Sequence, residues 1–139
     1  MIQKGFTLVE LLVTIAIITV LSAIILFSIG QYINKSKDAS ISGNLSALIP
    51  AGEVYYDHNN GNGYGVGDEN NPNSFCGSSV VANSFSQISS VKHCKATKNA
   101  WAACAQEFVN SNRAFCVDSR GYKREINNSD CDGTKTICQ

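Results

Sequence analysis

Glu10 is the first residue of this 139-residue chain whose type and place invite a chemical reading. It is the only ionisable side chain from Phe6 to Ile29. A carboxylate in such a run costs about 2.5–3.5 kcal/mol at mid-bilayer, so it needs a named partner. The second candidate set is Cys76, Cys94, Cys104, Cys116, Cys131 and Cys138, all in the second half of the chain. An even number of cysteines in a small exported domain predicts disulfides, which persist only in an oxidising compartment. None of the six shows the two-residue gap of zinc ribbons or thioredoxin-like redox sites. Three bridges are therefore expected, ahead of free thiols and, last, metal ligation. His93 beside Cys94 is the one tempting base–nucleophile pair. Neighbours on a strand point to opposite faces, so the two would not meet, and no enzyme is expected. His58 stands at a helix end, where an imidazole can cap carbonyls.

Asn128, Asp130 and Asp132, followed by Gly133, place oxygen ligands at alternate positions, as an EF-hand loop begins. The position that should supply a bidentate glutamate is Gln139, and Cys131 lies inside the loop. A solvated acidic turn is the favoured reading, calcium the lesser one, and no other cofactor is expected. Lys92, Lys95 and Lys98 form a modest basic group, read as a solvated face before a weak DNA or surface contact. Lysine plus arginine and aspartate plus glutamate balance at 11 each. No specific nucleic-acid partner follows from that balance, because a phosphate backbone calls for a basic excess.

Glu10 is positioned by the apolar run Phe6 to Ile29, FTLVELLVTIAIITVLSAIILFSI. As a helix it rises about 36 Å, which spans a hydrocarbon core about 30 Å thick. A secretory signal peptide is the rival reading. The run is longer than a typical signal core, and Gln31, Tyr32 and Ile33 make a poor cleavage site. Ahead of it stands a leader of only Met1-Ile2-Gln3-Lys4-Gly5.

Lys4-Gly5-Phe6-Thr7-Leu8-Val9-Glu10 resembles the N-terminal signal of type IV prepilins and type II secretion pseudopilins. The resemblance covers about 25 residues. It implies that a prepilin peptidase cuts between Gly5 and Phe6 and methylates the new N-terminus. Glycine suits that place because it lets a protease approach the backbone. Glu10 becomes the fifth residue of the mature chain, and the family pairs this glutamate with the N-terminal amine of a neighbouring subunit. An adjacent cation offsets the cost of burying the carboxylate. We expect the pair to set the axial register between subunits. Many members carry a proline where this chain has Phe27, and Gly30 is the nearby residue left to loosen the helix. The implied function is a structural subunit of a pilus-like filament serving adhesion, motility or DNA uptake. The alternative is a pseudopilin driving protein export. Implied partners are further copies of the chain, related minor pilins, the peptidase and an inner-membrane assembly platform. The implied location is the inner membrane as a single-pass precursor with its head outside the cytoplasm, then a surface or periplasmic filament. Some pseudopilins bind calcium in a C-terminal loop, which keeps Asn128, Asp130 and Asp132 in view.

Apolar residues continue at helical spacing beyond the run: Ile33, Ile41, Leu45 and Leu48 share a stripe that Lys37 interrupts, with Asn34, Lys35, Asp38, Ser42 and Ser46 opposite. Gly43 weakens this helix and Pro50 should kink it. A single bent helix to Tyr56 is preferred over two helices broken near Pro50. After it, Gly61 to Asn73 reads as an exposed loop and Val80 to Val91 as a short helix that makes Cys76 and Cys94 plausible partners. Ala100–Val109, Ala114–Asp118 and Tyr122–Ile126 read as strands, with a turn at Asp118 to Gly121. Cys104 and Cys116 would lie on neighbouring strands, and Cys131 with Cys138 would close a small loop, although six cysteines leave the connectivity open. Trp101 is expected to fill a helix–sheet core. The fold class is α+β, divided into a leader (1–5), a membrane or filament-core helix (6–30), an amphipathic continuation (31–58) and a disulfide-stapled head (59–139).

Overall fold

The computed structural model describes residues 5–139, apart from the side chain of residue 27. Residues 1–4 of the expected leader lie outside that range. The fold is α+β. Helix α1 (Leu8–Ser46) and helix α2 (Leu48–His58) come first, then strand β1 (Gly67–Asp68), helix α3 (Ser79–Ser86) and strands β2 (Lys92–Ala96), β3 (Trp101–Gln106), β4 (Arg113–Asp118) and β5 (Lys123–Asn127). A short 3₁₀ turn, Asn128–Asp130, follows. The chain divides into two compact units, one ending at Ile33 and the other running Asn34–Gln139.

In the first unit, α1 is apolar on every side and exposed along its length, from Leu8 to Ile29. Among the described residues it is the helix long and apolar enough to cross a membrane. A helix hydrophobic all round needs lipid or other protein around it. Its backbone stays helical through Phe27, Gly30 and Gly43. The break falls at Ala47. Pro50 stands third in α2, where a missing N–H is tolerated, but it leaves the carbonyl of Ser46 without its donor one turn back. The expected single helix is thus borne out as Leu8–His58, interrupted only at Ala47. The Ala47 backbone stays helical and its N–H still donates to the Gly43 carbonyl at 3.2 Å; the interruption precedes the proline.

The second unit is built on a five-stranded antiparallel meander in the order β1-β2-β3-β4-β5. Period-two alternation sends one set of side chains to each face. Trp101, Ala103, Ala105 and Val117 face a core completed by Ile41, Leu45 and Leu48 from the helices and by Val81 and Phe85 from α3. Ala102, Cys104, Ala114, Cys116 and Ile126 face the other way, under Cys131 and Cys138 of the C-terminal segment. The sheet is therefore buried on both faces, which accounts for the alanine-rich WAACAQ of β3. The outer edge belongs to β5, where exposed Lys123, Arg124 and Glu125 discourage further strand pairing.

Several elements differ from the sequence expectation. The strand on which His93 and Cys94 were read had no stated bounds: Val80–Val91 gives a helix only to Ser86, and Lys92–Ala96 pairs with β3, Cys94 opposite Ala103. The glycine- and asparagine-rich loop contributes β1 and buries Gly63 and Tyr64. Asp38, expected on the polar side, is not on a bare solvent face, and Lys37, which interrupts the apolar stripe, has an aromatic partner. Asp38 accepts hydrogen bonds from the backbone N–H groups of Phe108 (2.6 Å) and Val109 (3.0 Å), while the Lys37 ammonium lies 4.6 Å from the Phe108 ring centre. Those contacts tie the β3–β4 loop to the helix over a sequence span that no local pattern reveals.

Trp101 is fully buried, with Phe75 at 4.7 Å and Tyr64 at 6.4 Å between ring centres. The Tyr64 hydroxyl donates to Glu53 Oε1 at 3.0 Å, and burial followed by that carboxylate pushes its pKa up to about 12. Gly52 lets α2 approach the indole, because a Cβ there would stand 2.6 Å from Trp101 Nε1. Gly52→Ala should therefore cost about 1–3 kcal/mol by overpacking. Trp101 is the single tryptophan. Its fluorescence on denaturant titration of the full chain in detergent reports the loss, and an unchanged midpoint would contradict the contact.

Candidate functional site

Gly5, Phe6 and Thr7 precede the helix without regular structure, and Phe6 is 77% exposed. Thr7 is the residue before the first helical one, and Glu10 is the third of the helix. The Thr7 hydroxyl accepts from the Glu10 N–H at 3.2 Å, and Glu10 Oε2 accepts from the Thr7 N–H at 2.9 Å and from its hydroxyl at 2.7 Å. This reciprocal arrangement is a capping box, which satisfies two of the donors that every helix start leaves open. The sequence reading gave Glu10 one role, toward a neighbour. It missed this second one, although Thr-x-x-Glu before an apolar run is its signal. Among the described residues Oε1 of Glu10 accepts no hydrogen bond and no cation lies in ion-pair range. One oxygen thus holds the helix start and the other is open.

The six cysteines form three disulfides: Cys76–Cys94, Cys104–Cys131 and Cys116–Cys138. Cys104 and Cys116 are opposite one another in the β3–β4 register, on neighbouring strands, but each bonds to the C-terminal segment instead. The loop expected from a Cys131–Cys138 bond does not form. The two crossing bonds strap residues 128–139 over the sheet face away from the helices. His93 has no thiol beside it, because Cys94 is bonded to Cys76; its Nδ1 lies 3.6 Å from Glu69 Oε1. His58 Nδ1 lies 2.8 Å from the carbonyl of Val54, the capping role read from its place.

The acidic turn is internally committed. Asp132 Oδ1 accepts from the Thr134 N–H at 2.9 Å and hydroxyl at 2.6 Å, and those bonds hold its carboxyl below the usual range. Asp130 is bridged by the Lys135 ammonium. Asn128 opens the 3₁₀ turn. Among the described residues no cluster of three histidine, cysteine, aspartate or glutamate side chains is arranged for a metal ion. The lysines do not share a face: Lys92 and Lys95 fall on opposite sides of β2 by strand alternation, and Lys98 lies in the turn after it.

One buried polar group escaped the sequence reading. Asp118, read as the start of a turn, is fully buried at the end of β4. Its Oδ2 accepts from Arg120 Nη2 at 2.7 Å and from the Cys138 N–H at 3.0 Å, and its Oδ1 accepts from the Arg120 N–H at 3.0 Å. Burial alone would raise its pKa; the Arg120 guanidinium and the Cys138 and Arg120 N–H groups outweigh it and leave the carboxyl below its ordinary value.

The comparisons bear on the N-terminal end. Residues 1–26 match the prokaryotic N-terminal methylation motif. The chain is 53% identical over 45 residues to the type IV major alpha-pilin of Moraxella bovis, covering 32% of this chain and 28% of that protein. It is 51% identical over 45 residues to fimbrial protein Q of the same organism, covering 32% of this chain and 29% of that one. The chain thus spans less than a third of the length of these relatives, and the head lies outside the match. No solved structure matches the chain. Through its N-terminal third, where the methylation motif leads into an exposed apolar helix, this chain is similar to type IV pilins.

Proposed function

We infer that the chain is the precursor of a filament subunit, cut between Gly5 and Phe6, methylated on Phe6 and polymerised through α1. The observation that carries this reading is the site at the start of α1. The Gly5–Phe6 junction is exposed and irregular, and four residues after Phe6 stands a carboxylate with one oxygen engaged and one open. Cutting there creates an α-amine a few residues from Glu10. In a stack of subunits that amine can meet Oε1 of a neighbour while Oε2 keeps its own helix start. The pair neutralises two charges in an apolar setting, where either alone is costly. Every face of the helix then finds apolar neighbours, first in lipid and later in sister helices. The head stands outside the cytoplasm, where its disulfides persist. A pilus-like filament is preferred over a secretion pseudopilus because the similar relatives are named as a pilin and a fimbrial protein.

The N-terminus tests the reading. Co-expressed with a prepilin peptidase, the chain should lose residues 1–5 and begin with N-methylated phenylalanine, as measured by intact mass and N-terminal fragment ions. A persistent Met1, or a cut beyond Ile29, would remove it from the pilin class.

A further inference from the structure

We propose that the native head requires a thiol–disulfide isomerase as a folding partner, because its crossing disulfides are disfavoured by the order in which its cysteines meet. The inference rests on the export reading above, which places the head in an oxidising compartment. Cys76–Cys94 joins consecutive cysteines, but Cys104–Cys131 and Cys116–Cys138 interleave, spanning 27 and 22 residues. Cys104 and Cys116 are nearer in sequence to each other than to either native partner. They are also direct register partners across a hairpin, both pointing to the face away from the helices. Opposed residues in such a ladder have Cα atoms about 4.5–5.5 Å apart, within the span of a disulfide. Hairpins form in about 1–10 μs, whereas thiols oxidise in seconds or longer, so β3 and β4 present this pair before oxidation is complete. Loop length alone favours the pair roughly two- to threefold over the native bonds. Cys131 and Cys138, closer still in sequence, are then left to each other.

Correcting this isomer moves no net electrons. A thiolate of the isomerase attacks Sγ of Cys116, forming a mixed disulfide and releasing the Cys104 thiolate. Cys104 attacks Sγ of Cys131, breaking Cys131–Cys138 and releasing the Cys138 thiolate. Cys138 attacks Sγ of Cys116, completing Cys116–Cys138 and returning the isomerase thiolate. Two disulfides are consumed and two formed. The native isomer is selected by the fold: it brings the Cys138 N–H to the buried Asp118 carboxylate and lays residues 128–139 over Ala102, Ala114 and Ile126. In the misbonded chain that apolar face lacks its cover, which offers an isomerase something to hold. Once the native bonds are made all four cysteines are buried, so exchange acts before the strap closes.

Trypsin reads the connectivity directly. Cleavage after Lys98, Arg113, Arg120, Arg124 and Lys135 puts Cys104, Cys116, Cys131 and Cys138 on four different peptides. The full chain is expressed in bacteria with an intact periplasmic oxidase, with and without the periplasmic isomerase, alkylated, and mapped unreduced by mass spectrometry. Without the isomerase, Cys104–Cys116 should exceed the native pairs by roughly two- to threefold, the loop-length preference. With it, the native pairs should dominate. Equal native connectivity in both strains overturns the proposal. Six alkylated thiols in both strains would instead overturn the export reading. A C104S/C131S chain keeps only consecutive cysteines, so its mapped connectivity should not depend on the isomerase. If it does, interleaving is not the cause. Should that variant fail to accumulate, the comparison of the two strains still decides.

Discussion

Glu10→Ala should leave a precursor that enters the membrane and is cut at Gly5–Phe6 but no longer assembles. Alanine is a better helix former than glutamate and removes an acid from the apolar run, so insertion is not impaired. What is lost is the open carboxylate oxygen next to the exposed chain start. In the proposed filament each subunit's new amine would then be buried without a counter-ion. Breaking a buried pair by removing one partner costs about 3–5 kcal/mol. Every 1.4 kcal/mol is a factor of ten in an equilibrium, so the affinity of each addition should drop by at least about 100-fold. The measurement is the subunit in the sheared surface fraction, divided by the processed subunit in the membrane. Thr7→Val provides the contrast. It dismantles the hydroxyl half of the capping box at a cost of about 1 kcal/mol and spares the charge, so filaments should persist at reduced yield. If Glu10→Ala chains assemble like wild type, the carboxylate does not set subunit register. If Thr7→Val is as damaging as Glu10→Ala, the glutamate matters for its own helix start rather than for a neighbour.

The parts of the molecule legible in the sequence are those written in short-range patterns. The apolar helix, the signal ahead of it, strands β3 to β5 and the partnership of Cys76 with Cys94 follow from runs, periods and spacings within about 20 residues. The bounds and pairing of strand β2 were hidden because Lys92, His93 and Lys95 break the apolar alternation that marks a half-buried strand. They are tolerated because His93 meets Glu69 and Lys92 donates to the Ile88 carbonyl, contacts that only the folded chain supplies. The bonds of Cys104 and Cys116 were left open for a related reason. Register makes these two neighbours, and proximity in a ladder looks like pairing. The choice is decided by a segment that packs over the sheet from more than 20 residues away. The single long helix was legible too, and its interruption at Ala47 falls ahead of Pro50 because the residue that lacks the donor and the carbonyl that loses it are a full turn apart. At the N-terminus, the type of Glu10 and its distance from Gly5 were plain, yet its bond to Thr7 was overlooked. A strong functional pattern had already claimed the residue.

Asp118→Ala should be the most destabilising substitution in the head. The carboxylate has no exposed surface, and it accepts five hydrogen bonds, from the Arg120 guanidinium and from the backbone N–H groups of Arg120, Tyr122 and Cys138. Alanine leaves those donors facing a void, one of them on the strap that covers the sheet. Arg120 is half-exposed and returns to water, while each buried backbone donor left unpaired costs about 1–3 kcal/mol. Asp118→Asn keeps the shape and one carbonyl, so about 1.5–3 kcal/mol is expected, the scale of hydrogen bonds to a charged group. The pH dependence follows from the direction of the shift. The folded carboxyl titrates below its ordinary value of 3.8 despite burial, which by itself would raise it. Its contribution is therefore complete above the unfolded pKa, near 4, and is lost as pH falls through the lower folded value. Denaturant midpoints of the full chain in detergent, followed by Trp101 fluorescence, should separate wild type from Asp118→Asn at pH 7. The two should converge as the pH is lowered past about 4 toward 2. Midpoints for Asp118→Ala within about 0.5 kcal/mol of wild type at pH 7, the range of an ordinary surface change, would mean that the strap is held by its disulfides alone.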